Sequence, residues 1–198
     1  EIVLRFINRI SLKEYQNQYL FFVCSCGDDT GLTQQVLVKA LNDKGLLCHA
    51  GFSVTMPNNY VLLPGFDVDT KELERIKLAN AVPRLTEINA LISRREKIFS
   101  CHEGSLPFLK TRIINPLLNR FQMSPKHFYA TDSCISCKRC EKVCPVDNVK
   151  LREGRPVWGK NCTSCLACYH VCPQQAVQYG KRTRNKGQYF NPDKSIRL

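Results

Sequence analysis

The chain has 198 residues, 29 Lys and Arg against 17 Asp and Glu, and a formal net charge of +12. With 43% hydrophobic and 23% charged residues it has the make-up of globular protein, one medium domain or two small ones, which excludes disorder, collagen and coiled coil. Twelve cysteines are the most informative count, because eight of them fall between positions 134 and 172.

The first residues, EIVLRFINRISLKEY, show neither an initiator Met nor a basic-apolar-small signal layout. Ile2, Val3, Phe6, Ile7 and Ile10 fit one face of a helix already under way, so the sequence is expected to begin inside a domain. YLFFVCS, residues 19–25, is a continuous apolar run typical of a strand buried on both faces. GDDTG follows as a turn, and TGLTQQVLVKALNDKG reads as a helix with Val36, Leu37, Ala40 and Leu41 inward and Gly45 near its C-terminal end. LLCHAGFSV is the next apolar strand, and the order helix, strand, helix, strand implies a parallel α/β sheet. Residues 71–99 read as a long helix or helix pair, with Pro83 marking a kink or break. Residues 104–130, punctuated by Pro107, Pro116 and Pro125, read as a connecting arm. Two strands are too few for an open sheet, so further strands are expected upstream. The loops CSCGDDTG and TMPNNY lie at carboxyl ends of the strands, where open α/β sheets bind ligands.

The dense cysteines form two quartets, CISCKRCEKVCP with Cys134, Cys137, Cys140 and Cys144, and CTSCLACYHVCP with Cys162, Cys165, Cys168 and Cys172. Each reads C-x2-C-x2-C-x3-C-P, every cysteine recurs 28 positions later, and Pro145 pairs with Pro173. A disulfide framework needs an oxidising compartment, for which no export signal is visible. Zinc is satisfied by four ligands and gives no reason for the third and fourth cysteines or the proline. The run matches the bacterial ferredoxin signature for [4Fe-4S] clusters, in which the fourth cysteine of each quartet serves the other cluster. Cluster one is therefore expected to take Cys134, Cys137, Cys140 and Cys172, and cluster two Cys162, Cys165, Cys168 and Cys144. Ile135, Val143, Leu166 and Val171 beside the ligands would exclude water. Val149 and Leu151, Glu153-Gly154, then Val157 and Trp158 read as a hairpin, and AVQYG as a short strand of a matching one. So small a domain is expected to fold only with its metal.

FVCSCGDDTG, GFSVTMPNNY, FLKTRIINPLLNRF, both quartets and AVQYGKRTRNKGQYFNP together resemble the fusion proteins of anaerobes that join a flavodoxin-like domain to a two-cluster ferredoxin. The resemblance covers essentially the whole chain. It implies a partial flavodoxin-like domain over 1–103, the arm over 104–130 and a 2[4Fe-4S] ferredoxin domain with a basic tail over 131–198. It also implies that Cys26, Gly27 and Asp28 pass near a flavin ring, with Pro57, Asn58 and Asn59 as a neighbouring wall. The family's domain opens with a TGN phosphate loop; Thr30-Gly31 is not that loop, so FMN is expected only where one lies upstream.

Cys24, Cys26 and Cys48 read as small apolar packing, Cys101 as an idle thiol, and His49, His102, His127 and His170 as structural. No Ser/His/Asp or paired-carboxylate arrangement occurs, so no catalytic residue is assigned. Residues 1–130 carry 16 basic and 12 acidic side chains and residues 131–198 carry 13 and 5, an excess that two clusters of about −2 each would partly neutralise. The tail with Lys181, Arg182, Arg184 and Lys186 reads as solvated or as a docking patch for an acidic redox partner, without nucleic acid. The expected function is cytoplasmic electron transfer between two [4Fe-4S] clusters and a flavin or a partner enzyme. A flavin-dependent reductase fed by its own ferredoxin module is the alternative, so whether the chain is itself an oxidoreductase enzyme stays open.

Overall fold

The computed structural model describes residues 2–11, 17–117 and 124–191. They divide into two compact units, Glu1–Pro57 with Lys71–Leu117, and Asn58–Thr70 with Leu118–Leu198. This grouping differs from the boundaries at 103 and 130: residues 104–117 belong to the sheet unit, and the loop after the second strand belongs to the cysteine unit. No described helix is long and apolar enough to cross a membrane.

The first unit runs α1 (Ile2–Arg9), β1 (Leu20–Cys26), α2 (Thr33–Asn42), β2 (Cys48–Thr55), α3 (Lys71–Ser93), β3 (Phe99–Ser100) and α4 (Pro107–Leu109), which continues as a π-helical stretch over Lys110–Ile114. Its three strands are parallel in the order β1-β2-β3, with Cys24 opposite Ser53 and Phe52 opposite Ser100. The third strand has only two residues, too few to leave a pattern in the sequence. The central strand β2 is buried almost throughout, as its apolar run suggested. β1 instead alternates, leaving Phe21 and Val23 exposed, so the expectation of burial on both faces is corrected. In α1 only Ile7 is buried.

Ala50, Phe52 and Val54 pack against Ala81 and Ile88 of α3. Leu20, Phe22 and Cys48 pack against Ile7, Leu37 and Leu41 of α1 and α2. Gly51 is required where these rings close over β2, since a Cβ there would meet Phe22 at 2.4 Å and Phe99 at 2.9 Å. α3 is one continuous helix with Pro83 inside it, rather than a broken pair. Proline removes an N–H and crowds the preceding turn, and contacts from α3 offset that cost. Arg84 donates from Nε to the Ser53 carbonyl at 3.2 Å and from Nη2 to the Ser100 carbonyl at 2.8 Å, which ties the helix to β2 and β3. Thr111 accepts a bond from Leu32 N–H at 2.9 Å, and Lys110 pairs with Asp29, so the start of the arm is fixed to the sheet unit.

The second unit runs from a 3-10 turn at Pro125–His127 through β4 (Phe128–Ala130), α5 (Arg139–Lys142), β5 (Val149–Arg152), β6 (Arg155–Trp158), α6 (Ala167–His170) and β7 (Val177–Tyr179). β5 and β6 form the expected hairpin, turning at Glu153 and Gly154, both at positive φ. β7 pairs antiparallel with β4 and not with a second hairpin partner. Phe128, Val149, Leu166, Tyr169, Val177 and Tyr179 form the core, with Val61 and Leu62 from the loop after β2 buried among them. Phe128 stacks on Trp158 at 5.4 Å and meets the edge of Tyr179 at 4.8 Å.

Two straps close over α6. Tyr189 N–H donates to His170 Nδ1 at 3.1 Å, so Nε2 carries the proton and donates to the Asn59 carbonyl at 2.7 Å. The Tyr169 hydroxyl donates to the Lys186 carbonyl at 2.7 Å, and the Gln188 amide donates to the Cys172 carbonyl at 3.1 Å. Lys186 Nζ reaches the Phe66 carbonyl at 2.5 Å and Thr183 is buried. As far as Asn191 the basic tail is therefore folded onto its unit and is not a solvated extension.

Phe52 is wholly buried between β2 and α3. Phe52→Ala is expected to cost about 3–5 kcal/mol, read as a lower urea midpoint of the helical circular dichroism signal; an unchanged midpoint would place Phe52 outside the core.

Candidate metal centre

The two quartets build the same backbone twice. Ser136, Lys138 and Asp147 have φ of 54°, 63° and 51°, and the residues 28 positions on, Ser164, Leu166 and Gln175, have 54°, 61° and 48°. Left-handed residues cost about 1–2 kcal/mol without glycine, and alternated with right-handed ones they turn successive N–H groups into a concavity suited to an anion. Each loop then enters a single helical turn, α5 or α6, that carries its third cysteine inward.

Two cavities of matched size lie against these loops. One, of about 20 Å3, is lined by Cys134, Cys137, Cys140 and Cys172 together with Ile135, Leu151 and Val177. The other, also of about 20 Å3, is lined by Cys144, Cys162, Cys165 and Cys168 together with Phe128, Trp158 and Leu166. Each cavity thus takes three cysteines from one quartet and the fourth from the other. The helical turn between the third and fourth cysteines explains this, because it carries the fourth to the far side.

Donors converge on the sulfurs. Asn148 N–H lies 3.1 Å from Cys144 Sγ, and Ala176 N–H, its repeat counterpart, 3.2 Å from Cys172 Sγ. Ser164 N–H lies 3.4 Å from Cys162 Sγ, and the Trp158 indole N–H 3.5 Å from Cys168 Sγ. Asn148 Nδ2 and Thr163 Oγ1 are buried without a partner, and both residues line the second cavity. An unpaired buried donor costs about 1–3 kcal/mol, and an anion bearing sulfur inside the cavity would remove that cost. Burial pushes the Cys140 thiol up to about 11 and, against the pull of Trp158, Cys168 up to about 12. These thiols keep their protons until a metal displaces them. Among the described residues no group of His, Cys, Asp and Glu is placed to hold one single ion. Thiols spread around a cavity suit a cluster, in which each binds a different iron. The donor set, the anion-suited backbone and the orphaned donors all fit iron-sulfur clusters.

Residues 133–177 match the family model described as a 4Fe-4S dicluster domain. This segment is a ferredoxin-type iron-sulfur domain, and its chemistry is electron transfer. No curated protein and no solved structure matches the chain.

The residues expected near a flavin are divided between the units. Cys26, Gly27, Asp28 and Pro57 belong to the sheet unit, where Lys77 Nζ donates to the Gly27 carbonyl at 2.7 Å and pairs with Asp28 at 3.4 Å. Asn58 and Asn59 belong to the cysteine unit, where Asn58 Nδ2 donates to the Asp67 carbonyl at 3.0 Å and Asn59 holds His170.

The sequence reading, Cys24 as packing and Cys101 as an idle thiol, does not foresee that the two thiols interact. They lie far apart in the chain, and only the parallel register brings the two thiols together. A hydrogen bond from Cys101 pulls Cys24 down to about 7, against desolvation, and Cys101 is pushed up in return. In iron-loaded protein Cys24 should therefore react with iodoacetamide as a thiolate from about pH 7 upward. Cys101→Ala should raise that midpoint toward 9.0, the value from which Cys24 is lowered, with the largest rate loss between the two values. Peptide mass mapping across pH reads this; an unchanged midpoint in the variant would contradict it.

Proposed function

We propose that the chain relays single electrons through two [4Fe-4S] clusters, to or from a flavin (FMN) domain or a partner redox enzyme. Cys134, Cys137, Cys140 and Cys172 hold cluster one, and Cys144, Cys162, Cys165 and Cys168 hold cluster two. The observation that carries this reading is the exchange of fourth cysteines between two matched cavities. When bound, such clusters take up and release one electron at a time.

The chain's own residues do the rest. Leu151, Val177, Phe128 and Leu166 shield the cavities from water, and the backbone and indole N–H groups stabilise negative charge on sulfur. The crossed cysteines bind the two loops to each other, which keeps both sites rigid as charge changes. On the sheet unit, the Cys26-Gly27-Asp28 loop leaves the carboxyl end of β1, and Lys77 fixes its backbone. That placement supports a flavin as the neighbouring redox group. Thiolate ligands and free thiols are suited to a reducing compartment such as the cytoplasm.

The crossing separates two sets of variants. After anaerobic reconstitution, Cys134→Ala/Cys172→Ala should keep about half the wild-type iron, because both changes strike one cluster, whereas Cys134→Ala/Cys144→Ala should lose nearly all of it. The opposite pattern would show that each quartet holds its own cluster.

A further inference from the structure

The 28-residue repeat diverges at the surface. Lys138, Arg139, Glu141 and Lys142 in the first quartet correspond to Leu166, Ala167, Tyr169 and His170 in the second. Leu166 and Tyr169 are buried to 1%, Leu166 at the second cavity and Tyr169 beneath the strap that holds its hydroxyl. Residues 135–139 are all exposed, Ile135 at 59%. Arg139 and Lys142 border a groove that reaches Cys172 and includes the exposed Phe190, and no described acidic side chain pairs with Lys138, Arg139 or Lys142. The result is a cationic groove holding the exposed ring of Phe190, next to the first cavity, which the exposed Ile135 lines. Such a face steers and seats an acidic surface and repels a basic one.

We propose that this face is the docking surface for an electron-transfer protein with an acidic surface, a proposal that rests on the relay reading above. The probe is an oxidised bacterial flavodoxin of strongly negative net charge, mixed with the dithionite-reduced full chain in stopped flow. The wild-type rate constant should fall at least about tenfold between low and high salt. Arg139→Glu/Lys142→Glu should lose at least about tenfold at low salt and most of its salt dependence, while the charge-matched control Lys97→Glu/Lys160→Glu, at two exposed lysines that do not line the groove, stays near wild type. Reduction of a neutral benzoquinone and the cluster absorbance should be equal in all three proteins. Equal flavodoxin rates in the two double variants would overturn the docking face. Failure of the wild type to reduce the quinone would instead overturn the relay.

The repeat also diverges inside the cavities. The counterparts of Asn148 and Thr163 beside the first cavity are Ala176 and Ile135, which have no side-chain donor. The Asn148 amide is held in one orientation, because Oδ1 accepts from Asn161 N–H at 2.7 Å and Gly159 leaves room where a Cβ would come within 2.8 Å of it. Nδ2 is left buried at the second cavity with Thr163 Oγ1, near the Trp158 indole N–H. Cys137 and Cys165 are both exposed, so solvent access at that ligand does not distinguish the two sites. Donors to sulfur favour the more negative, reduced state.

We infer that Asn148, Thr163 and Trp158 raise the reduction potential of cluster two above that of cluster one, so that the first electron rests with Cys144, Cys162, Cys165 and Cys168. This too rests on the two-cluster reading. An EPR-monitored redox titration of the holoprotein should give two unequal potentials. Asn148→Ala, Thr163→Val and Trp158→Phe should each move the higher one in the negative direction and leave the lower one in place, at full iron content. Equal potentials in the wild type, or a shift confined to the lower potential, would overturn the assignment. Loss of half the iron in all three variants would equally overturn it, by making these residues necessary for holding the cluster.

Discussion

Everything in the cysteine unit depends on one constraint, the convergence of four thiols on each of two cavities with the fourth supplied by the opposite loop. A unit with a short hairpin, two single helical turns and a two-stranded ribbon has too little apolar core to fix left-handed serine, lysine, leucine and glutamine residues unaided. In the proposed relay, thiolate bonds to the clusters supply that fixation, and the crossing would make each loop's geometry conditional on the other. The N–H groups directed at Cys144 and Cys172 recur at the same place in both halves, as a duplicated binding device requires.

Around that duplicated frame, the chain has made the halves unequal. One loop carries lysine and arginine and faces solvent, while the other carries leucine, tyrosine and histidine and is covered by residues 58–70 and 183–190. Tyr169 and His170 convert what is a charged surface in the first half into a packed joint in the second. The joint also gives the loop after β2 a structural role: Val61 and Leu62 are buried with the cysteine core, and Asn59 fixes the tautomer of His170.

The cluster loops were legible in the sequence because metal ligation imposes a short, local spacing that leaves few alternatives. The central strand was legible from its apolar run, and the hairpin from alternation around Glu153-Gly154. What escaped were features fixed by contacts between distant residues. Asn59 and His170 are 111 positions apart, and nothing near either announces the bond. α3 misleads by composition: Glu74 and Lys77 are buried while Leu73, Ile76, Val82 and Leu85 are exposed, because polar partners on the sheet unit hold the charged side chains inward. Pro83 reads as a breaker in isolation but is tolerated where Arg84 anchors the same turn to two strands.

The central claim is that the two thiol-lined cavities hold iron-sulfur clusters close enough to interact. Anaerobic purification followed by metal and sulfide analysis and EPR of the dithionite-reduced protein tests it most directly. The account predicts about eight iron and eight sulfide per chain, with the broadened signals of two coupled, reduced [4Fe-4S] clusters. A colourless, EPR-silent protein containing stoichiometric zinc would contradict it.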